Sequence, residues 1–385
     1  MGRAPVNRPA ALRLVLDVSA VPARPAGAGQ YTLALVEALD VRSDVDLTLI
    51  ARHGDDGRWG MVAPHAKVIP AAPLRRPARL AWEQTVMPFV VRRQRPQVIH
   101  SPHYTMPELL RRPKVVTIHD MTFFDHPEWH ERAKVPFFRR AIKVAAHRAS
   151  ALVCVSEHTA GRLRTRLAPE VPVHVIPHGI DHVRFQPNPP GGAAADDAVL
   201  ATLGVHQPFV AFVGTIEPRK SVDHLVRAFD RMAAAHPDLQ LALAGGDGWG
   251  VAAVDEAIAR ARHRDRIVRT GYVPDAAVSA LLRRAAAVAY PAAEEGFGLP
   301  ALEALACEAP LVTTKGSVME EVVGSAALLV PPFDTDRLAG ALDMLVRGDS
   351  QLAGRRALGR AIADGYTWER CAAAHVEVYR SVSRG

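Results

Sequence analysis

Short apolar runs alternate with helix-length amphipathic stretches along almost the whole chain. This alternation predicts an α/β protein whose sheets are parallel and doubly wound, because each buried strand must be joined to the next by a covering helix. In the first half the runs predict strands at Leu12–Val18, Val45–Ile50, Gln97–His100, Val115–His119, Ala151–Val155 and Val173–Ile176. The stretch QPNPPGGAAADD, residues 186–197, then loses all periodicity and reads as an interdomain linker. A second series follows at Phe209–Gly214, Leu239–Ala244, Ile267–Arg269, Ala287–Tyr290, Leu311–Thr313 and Ala327–Val330. The expected division is therefore 1–185, a linker at 186–197, a second domain at 198–365, and a terminal helix at 366–385 that crosses back to the first domain. Each half is long enough to bury its own core.

Composition narrows the class. With 49% hydrophobic and 23% charged residues in 385, disorder and fibrous structure are excluded. No apolar run approaches a membrane span, and the start MGRAPVNRPAALRLVLDV passes from a short basic tail into a strand, so a cytoplasmic protein is expected. Cys154, Cys307 and Cys371 have neither metal-ligand spacing nor the density of a disulfide framework. The net charge of +7 is unevenly spread. Residues 1–185 hold 27 Lys and Arg against 16 Asp and Glu, a balance of +11, which leaves −4 for the rest. The first half therefore suits an anionic partner, although an Arg-rich solvated surface would look the same.

Open α/β sheets bind ligands beyond the carboxyl ends of their strands, so the strand-to-helix loops are the places to look. PAAEEGFGLPALEALACEAP, residues 291–310, offers Glu294 and Glu295 in a loop and Glu303 inside the next helix. Between them the backbone N–H groups of Phe297, Gly298 and Leu299 fall at a helix start, where phosphate or sugar oxygens are favoured. VGTIEPRKSVDHLVRAF sets Arg219 and Lys220 just after Gly214, and two adjacent cations suit a diphosphate. ARPAGAGQYTLALVEAL places Gly27 and Gly29 before a helix that carries Tyr31. It lacks the third Gly of a dinucleotide fingerprint, and Asp46 precedes a strand, so NAD is disfavoured. KVVTIHDMTFFDHPEWH puts His119 and Asp120 at a strand end, with Asp125, His126 and His130 beyond; the spacing matches no familiar metal site.

Together these segments resemble the retaining GT-B glycosyltransferases of family 4, nearest to bacterial mannosyltransferase-like members. The family's E-x7-E pattern appears as Glu295 to Glu303 in EGFGLPALE. GTIEPRK, GAGQY, His119-Asp120, VSEHT and VIPHGID fall where the family carries comparable segments. The resemblance implies two Rossmann-like domains facing a central crevice, and transfer of a hexose, mannose among the candidates, from a GDP- or UDP-hexose to a glycan or lipid-linked acceptor in cell-surface polysaccharide or glycolipid assembly. It implies that Arg219 and Lys220 neutralise the diphosphate and that Glu303 holds the ribose. Glu295 and the Phe297–Leu299 backbone hold the sugar, with Gly214 beside them. His119 reaches the sugar from the first domain, while Gly27, Gly29, Tyr31 and Asp120 lie on the acceptor side. No cofactor, metal or nucleic acid is then required.

Three positions depart from the family pattern: Gln30 stands where relatives often carry Arg, Glu308 where Gly is usual, and Glu320 where Pro is common. Other readings are a same-fold epimerase or phosphorylase, which product analysis would separate, and a non-catalytic binder of nucleic acid or anionic surfaces. An anionic membrane is a further expected partner. In ERAKVPFFRRAIKVAAHR, residues 131–148, Phe138, Ile142 and Ala145 share a helical face flanked by Arg139, Arg140 and Lys143, an arrangement that suits the headgroup plane unless that face points inward. RRPARLAWEQTVMPFVVRRQR, residues 75–95, is a second basic stretch.

Overall fold

A computed structural model describes residues 11–25, 27–189, 191–348 and 350–384; the basic tail at 1–10 lies outside them. The chain divides into two compact units, one of residues 1–177 with 368–385, the other of residues 178–367.

The first unit holds seven strands: β1 Leu12–Asp17, β2 Val45–Arg52, β3 Lys67–Ala72, β4 Val98–Ser101, β5 Lys114–Ile118, β6 Ala151–Cys154 and β7 Val173–Val175. They form one sheet in the order β3-β2-β1-β4-β5-β6-β7, parallel throughout. The second unit holds β8 Phe209–Val213, β9 Gln240–Ala244, β10 Ile267–Gly271, β11 Ala287–Tyr290, β12 Leu311–Thr314 and β13 Leu328–Val330. Their order is β10-β9-β8-β11-β12-β13, again parallel. In each sheet the winding reverses once, between β1 and β4 and between β8 and β11, and a ligand crevice is expected at the carboxyl end of each reversal.

Strand and helix placement follows burial. In β8 every residue is buried, as a strand covered on both faces requires. The helix Val222–Met232 buries Val222, Leu225, Val226, Phe229 and Met232, the three- and four-residue spacing of one apolar face. Each such Leu or Phe removed from water contributes roughly 1.5–3 kcal/mol. The strand β3 went unread because Pro70 interrupts its apolar run. The structure accommodates this proline on an edge strand, paired only with β2.

Two expectations are corrected. The stretch 186–197 is no free linker: its second half opens the helix Gly192–Thr202, and Asp196, 5% exposed, meets Arg283 through two bonds of 2.7 and 2.8 Å. Consecutive alanines favour the helix, and Asp196 and Asp197 are bound by Arg283 and Arg284. Nor does the helix Lys134–Arg148 offer a membrane face. Phe138, Ile142 and Ala145 are buried in the core beside Val116, Ile118 and Leu152. Arg139 donates to the Phe123 carbonyl at 2.7 Å, and Arg140 grips Glu108 with two bonds.

The last helix, Trp368–Ser383, belongs to the first unit. It buries Cys371, Ala372, His375, Val376 and Tyr379, and Arg380 reaches Asp44 at 2.7 Å. No helix among the described residues is long and apolar enough to cross a membrane.

Candidate active site

In the second unit the reversal between β8 and β11 gathers the charged groups. Beyond β8 the chain passes Gly214, where a Cβ would stand 3.0 Å from Lys220 Nζ, then a short turn at Pro218–Lys220. Beyond β11 it runs through Glu295 to the helix Leu299–Ala306. The two loops are tied by main chain, since Ala293 N donates to Arg219 O at 2.8 Å.

Arg219 Nη1 lies 2.6 Å from Glu295 Oε1, and Arg219 Nε donates to Glu217 Oε2 at 3.0 Å. Lys220, 6% exposed, stands 3.4 Å from the same Glu295 oxygen and 2.8 Å from the Tyr290 hydroxyl, which itself donates to Glu295 Oε1 at 2.7 Å. Burial alone would raise the Glu295 carboxyl, but Arg219 and Lys220 outweigh it and hold it at about 2. Burial lowers Lys220, and Glu295 only partly restores it. The two cations thus face two carboxylates, Glu217 and Glu295. The pair that suits a diphosphate is therefore already matched by carboxylates in this structure.

Glu303 is different. Its carboxyl is raised to about 7 by burial, with Arg184 pulling down and Asp275 pushing up. Among the described residues it has neither a hydrogen-bond nor an ion-pair partner, so it can still accept from a ligand. Between the two glutamates, Phe297 packs on His178 at 4.6 Å and Tyr366 at 5.8 Å. Gly298 caps the helix with φ of 89°, and a Cβ there would meet Met319 Cε at 2.1 Å, so only glycine fits. The helix beginning at Leu299 has no side-chain cap; Pro300 carries no N–H, and Ala301 and Leu302 donate to Gly298 O, so Leu299 N–H is the helix-start donor left to a ligand oxygen.

In the first unit the expected residues divide. His119 is 7% exposed, its Nε2 donates to Pro102 O at 2.7 Å, and burial lowers its pKa, so the ring is neutral. Asp120 Oδ1 accepts from Thr122 N at 3.0 Å and from Thr122 Oγ1. Tyr31 is corrected: expected on the acceptor side, it is fully buried. Its hydroxyl meets Thr117 Oγ1 at 3.1 Å and His375 Nε2 at 2.8 Å. Thr117 also bonds His100 Nε2 at 2.8 Å, and Tyr379 bonds His100 Nδ1 at 2.7 Å, so a polar chain runs through this core. Gly29 is buried as well, and a Cβ there would stand 2.8 Å from Pro25 Cβ; packing accounts for the glycine without a ligand. Gly27, with φ of 47°, starts the helix Ala28–Asp40.

Sequence reasoning missed several groups. Tyr290 hid as the last letter of the apolar strand AVAY, and a polar tip on a buried strand end was the available signal. At the reversal of the first sheet, Asp17 ends β1 at 5% exposure. Glu83, 2% exposed, accepts from Thr105 at 2.9 Å and is raised to about 8 by burial and by Asp17. Among the described residues no group of three or more His, Cys, Asp or Glu is arranged to hold a metal ion.

Two family models match the chain, described as glycosyl transferases group 1 over residues 202–361 and as glycosyltransferase family 4 over residues 25–184. The chain belongs to this glycosyltransferase family. It is 26% identical to the O-antigen chain mannosyltransferase B of Escherichia coli, over 92% of this chain and 96% of that protein. It is 34% identical to the alpha-maltose-1-phosphate synthase of Mycolicibacterium smegmatis, over 55% of this chain and 57% of that protein. Among solved structures, sucrose-phosphate synthase from Thermosynechococcus elongatus superposes with a TM-score of 0.78 at 21% identity, over 96% of this glycosyltransferase and 99% of that chain. Anabaena HepE, solved with UDP and glucose, superposes with a TM-score of 0.77 at 20% identity, over 96% and 100%. WaaG, a glycosyltransferase involved in lipopolysaccharide biosynthesis, follows at 0.75 and 14%, over 95% and 99%. These likenesses are of fold, and the fold is GT-B.

Proposed function

We propose that this glycosyltransferase is a retaining enzyme that moves a hexose from a nucleotide diphosphate sugar to a glycan or lipid-linked acceptor in cell-surface polysaccharide assembly. The observation that carries the reading is the cluster of Arg219, Lys220 and Glu295 at the β8–β11 reversal, beside a Glu303 carboxyl with no hydrogen-bond or ion-pair partner among the described residues. In this reading Glu303 accepts from the ribose hydroxyls. Arg219 and Lys220 turn toward the diphosphate as its leaving oxygen gains charge, and Glu295 steadies the sugar as it approaches an oxocarbenium ion. The N–H groups at Gly298 and Leu299 complete the anion site. His119 and Asp120 are given roles toward the sugar and the acceptor, and no divalent ion is needed. Mannose from GDP-mannose is the favoured donor group, in keeping with the name of the Escherichia coli relative.

An anionic membrane surface belongs to the same reading. Val86 and Phe89, 46% and 63% exposed, lie beside the exposed Arg92 and Arg93, and Leu109, 71% exposed, beside Arg111 and Arg112. Apolar anchors ringed by arginine suit an anionic headgroup layer.

The deciding experiment offers GDP- and UDP-hexoses with glycan and lipid-linked acceptors to the purified chain and reads the anomeric configuration of the product by NMR. Transfer with retained configuration and in the presence of EDTA is the expected result. Inverted product, or strict dependence on a divalent ion, would overturn the corresponding part of the mechanism.

A further inference from the structure

Tyr290 is held from two sides by groups that need only its ring and backbone. Its ring lies nearly parallel to that of Phe212 on β8, with centroids 6.2 Å apart. Its carbonyl accepts from Thr313 Oγ1 of β12 at 2.7 Å. The residue is 1% exposed. A phenylalanine would satisfy each of these contacts, so the hydroxyl is unexplained by packing.

The direction of its hydrogen bonds is fixed by chemistry. The Lys220 ammonium can only donate and the ionised Glu295 carboxylate can only accept. The hydroxyl between them, 2.8 Å from Nζ and 2.7 Å from Oε1, therefore accepts from the lysine and donates to the glutamate. Among the described residues the groups that touch the Glu295 carboxylate, Arg219, Lys220 and Tyr290, converge on Oε1. Arg219 and Lys220 are also the groups that the diphosphate would draw away. Tyr290 carries no charge for the phosphates to attract, and it remains the fixed point of the carboxylate.

We infer that Tyr290 is a positioning residue of the transfer site, whose hydroxyl pins Glu295 by Oε1 and so presents Oε2 to one hydroxyl of the transferred sugar. This inference rests on the glycosyltransfer reading given above. It adds that the precision of sugar placement comes from a neutral side chain anchored in the sheet rather than from the cations.

The test compares wild type, Tyr290→Phe and Glu295→Gln with the natural nucleotide sugar and with a series of donors each lacking one sugar hydroxyl. In the wild type one deoxygenated donor should react more slowly than the others, and equal rates across the series overturn the inference. Tyr290→Phe should lower kcat on the natural donor about tenfold, a loss of about 1.4 kcal/mol in transition-state stabilisation, with donor KM moved by less than about threefold. The penalty for that one missing hydroxyl should vanish in Tyr290→Phe as it does in Glu295→Gln, because coupled groups do not add. A Tyr290→Phe enzyme with kcat within about twofold of wild type, or one that keeps the full deoxy penalty, overturns the inference. Should the Phe variant fail to fold, 3-fluorotyrosine introduced at position 290 alone keeps the shape and strengthens the donor. It must then change the ratio of natural to deoxy donor turnover, and an unchanged ratio overturns the inference equally. If the wild type transfers no hexose from any nucleotide sugar, it is the underlying reading that falls.

Discussion

Arg219 and Glu295, 2.6 Å apart, hold each other before any donor arrives. A diphosphate must therefore compete with a carboxylate for the guanidinium. Removing the Glu295 charge should free Arg219 and Lys220, so Glu295→Gln is expected to bind free GDP or UDP several-fold more tightly while hexose transfer falls by about 100-fold. Calorimetry with the nucleoside diphosphate and steady-state kinetics check both halves, and weaker nucleotide binding in this variant would contradict the competition. Arg219→Ala should lose both affinity and turnover.

The Glu303 carboxyl, raised to about 7 against about 4.5 when unfolded, is a liability to the empty fold. With a folded value above the unfolded one, its contribution to stability is complete below about pH 4.5 and is lost as pH rises through 7. Glu303→Gln should therefore melt at a higher temperature than wild type at pH 8 and weaken nucleotide binding. In the wild type, nucleotide affinity should rise between pH 6 and 8 as the carboxylate forms to accept the ribose hydroxyls. Thermal melts and titrations across that range test both statements.

The buried histidines of the first unit work in the opposite sense. Burial lowers His375 to about 4, and holds His100 well below the value of about 6.5 expected unfolded. The stability they contribute is complete above about pH 6.5 and is lost as pH falls toward 4. The melting temperature should decline over that window, and His375→Gln, which still reaches the Tyr31 hydroxyl but cannot titrate, should flatten part of the slope. An identical slope in the variant would remove His375 from the account.

Glu308 stands in the left-handed region, with φ of 55°, just past the helix Leu299–Ala306, and its N–H donates to Leu305 O. That geometry favours glycine, and Glu308→Gly should stabilise the chain by about 1 kcal/mol. A melt at neutral pH reads the gain directly.

Phe89→Ser and Leu109→Ser should abolish sedimentation with anionic vesicles at low salt, whereas Arg139→Ala should leave it intact because Arg139 is spent on the Phe123 carbonyl. Vesicles of neutral lipid should bind neither wild type nor variants.

Fold was legible where burial dictates the pattern. AVAY and FVAFV are short, apolar and rich in Val and aromatic residues, which favours buried strands, and PALEAL reads as a helix from its proline and its spacing. Residues whose role depends on partners far along the chain were not legible. GAGQY looks like a ligand loop, yet Tyr31 is committed to Thr117 and His375, the latter 344 positions away. Phe138 and Arg139 present an amphipathic face whichever side the sheet takes, and only packing decides that the apolar side is core. Arg219 and Lys220 could be seen as cations but not as cations already answered by Glu217 and Glu295. Charge accounting of that kind requires distances.

The return of the helix Trp368–Ser383 to the first unit sets an order on synthesis at the ribosome. Residues 178–367 contain everything their own sheet needs and can close as soon as they emerge. The earlier-made unit must wait: until Tyr379 and His375 arrive, His100 Nδ1 and the Tyr31 hydroxyl each lack one of the bonds they make in the finished fold, and the apolar flank of the helix Ala28–Asp40 stays uncovered. The half translated first is thus completed last, and during that interval its exposed core is the surface that a chaperone would have to shield.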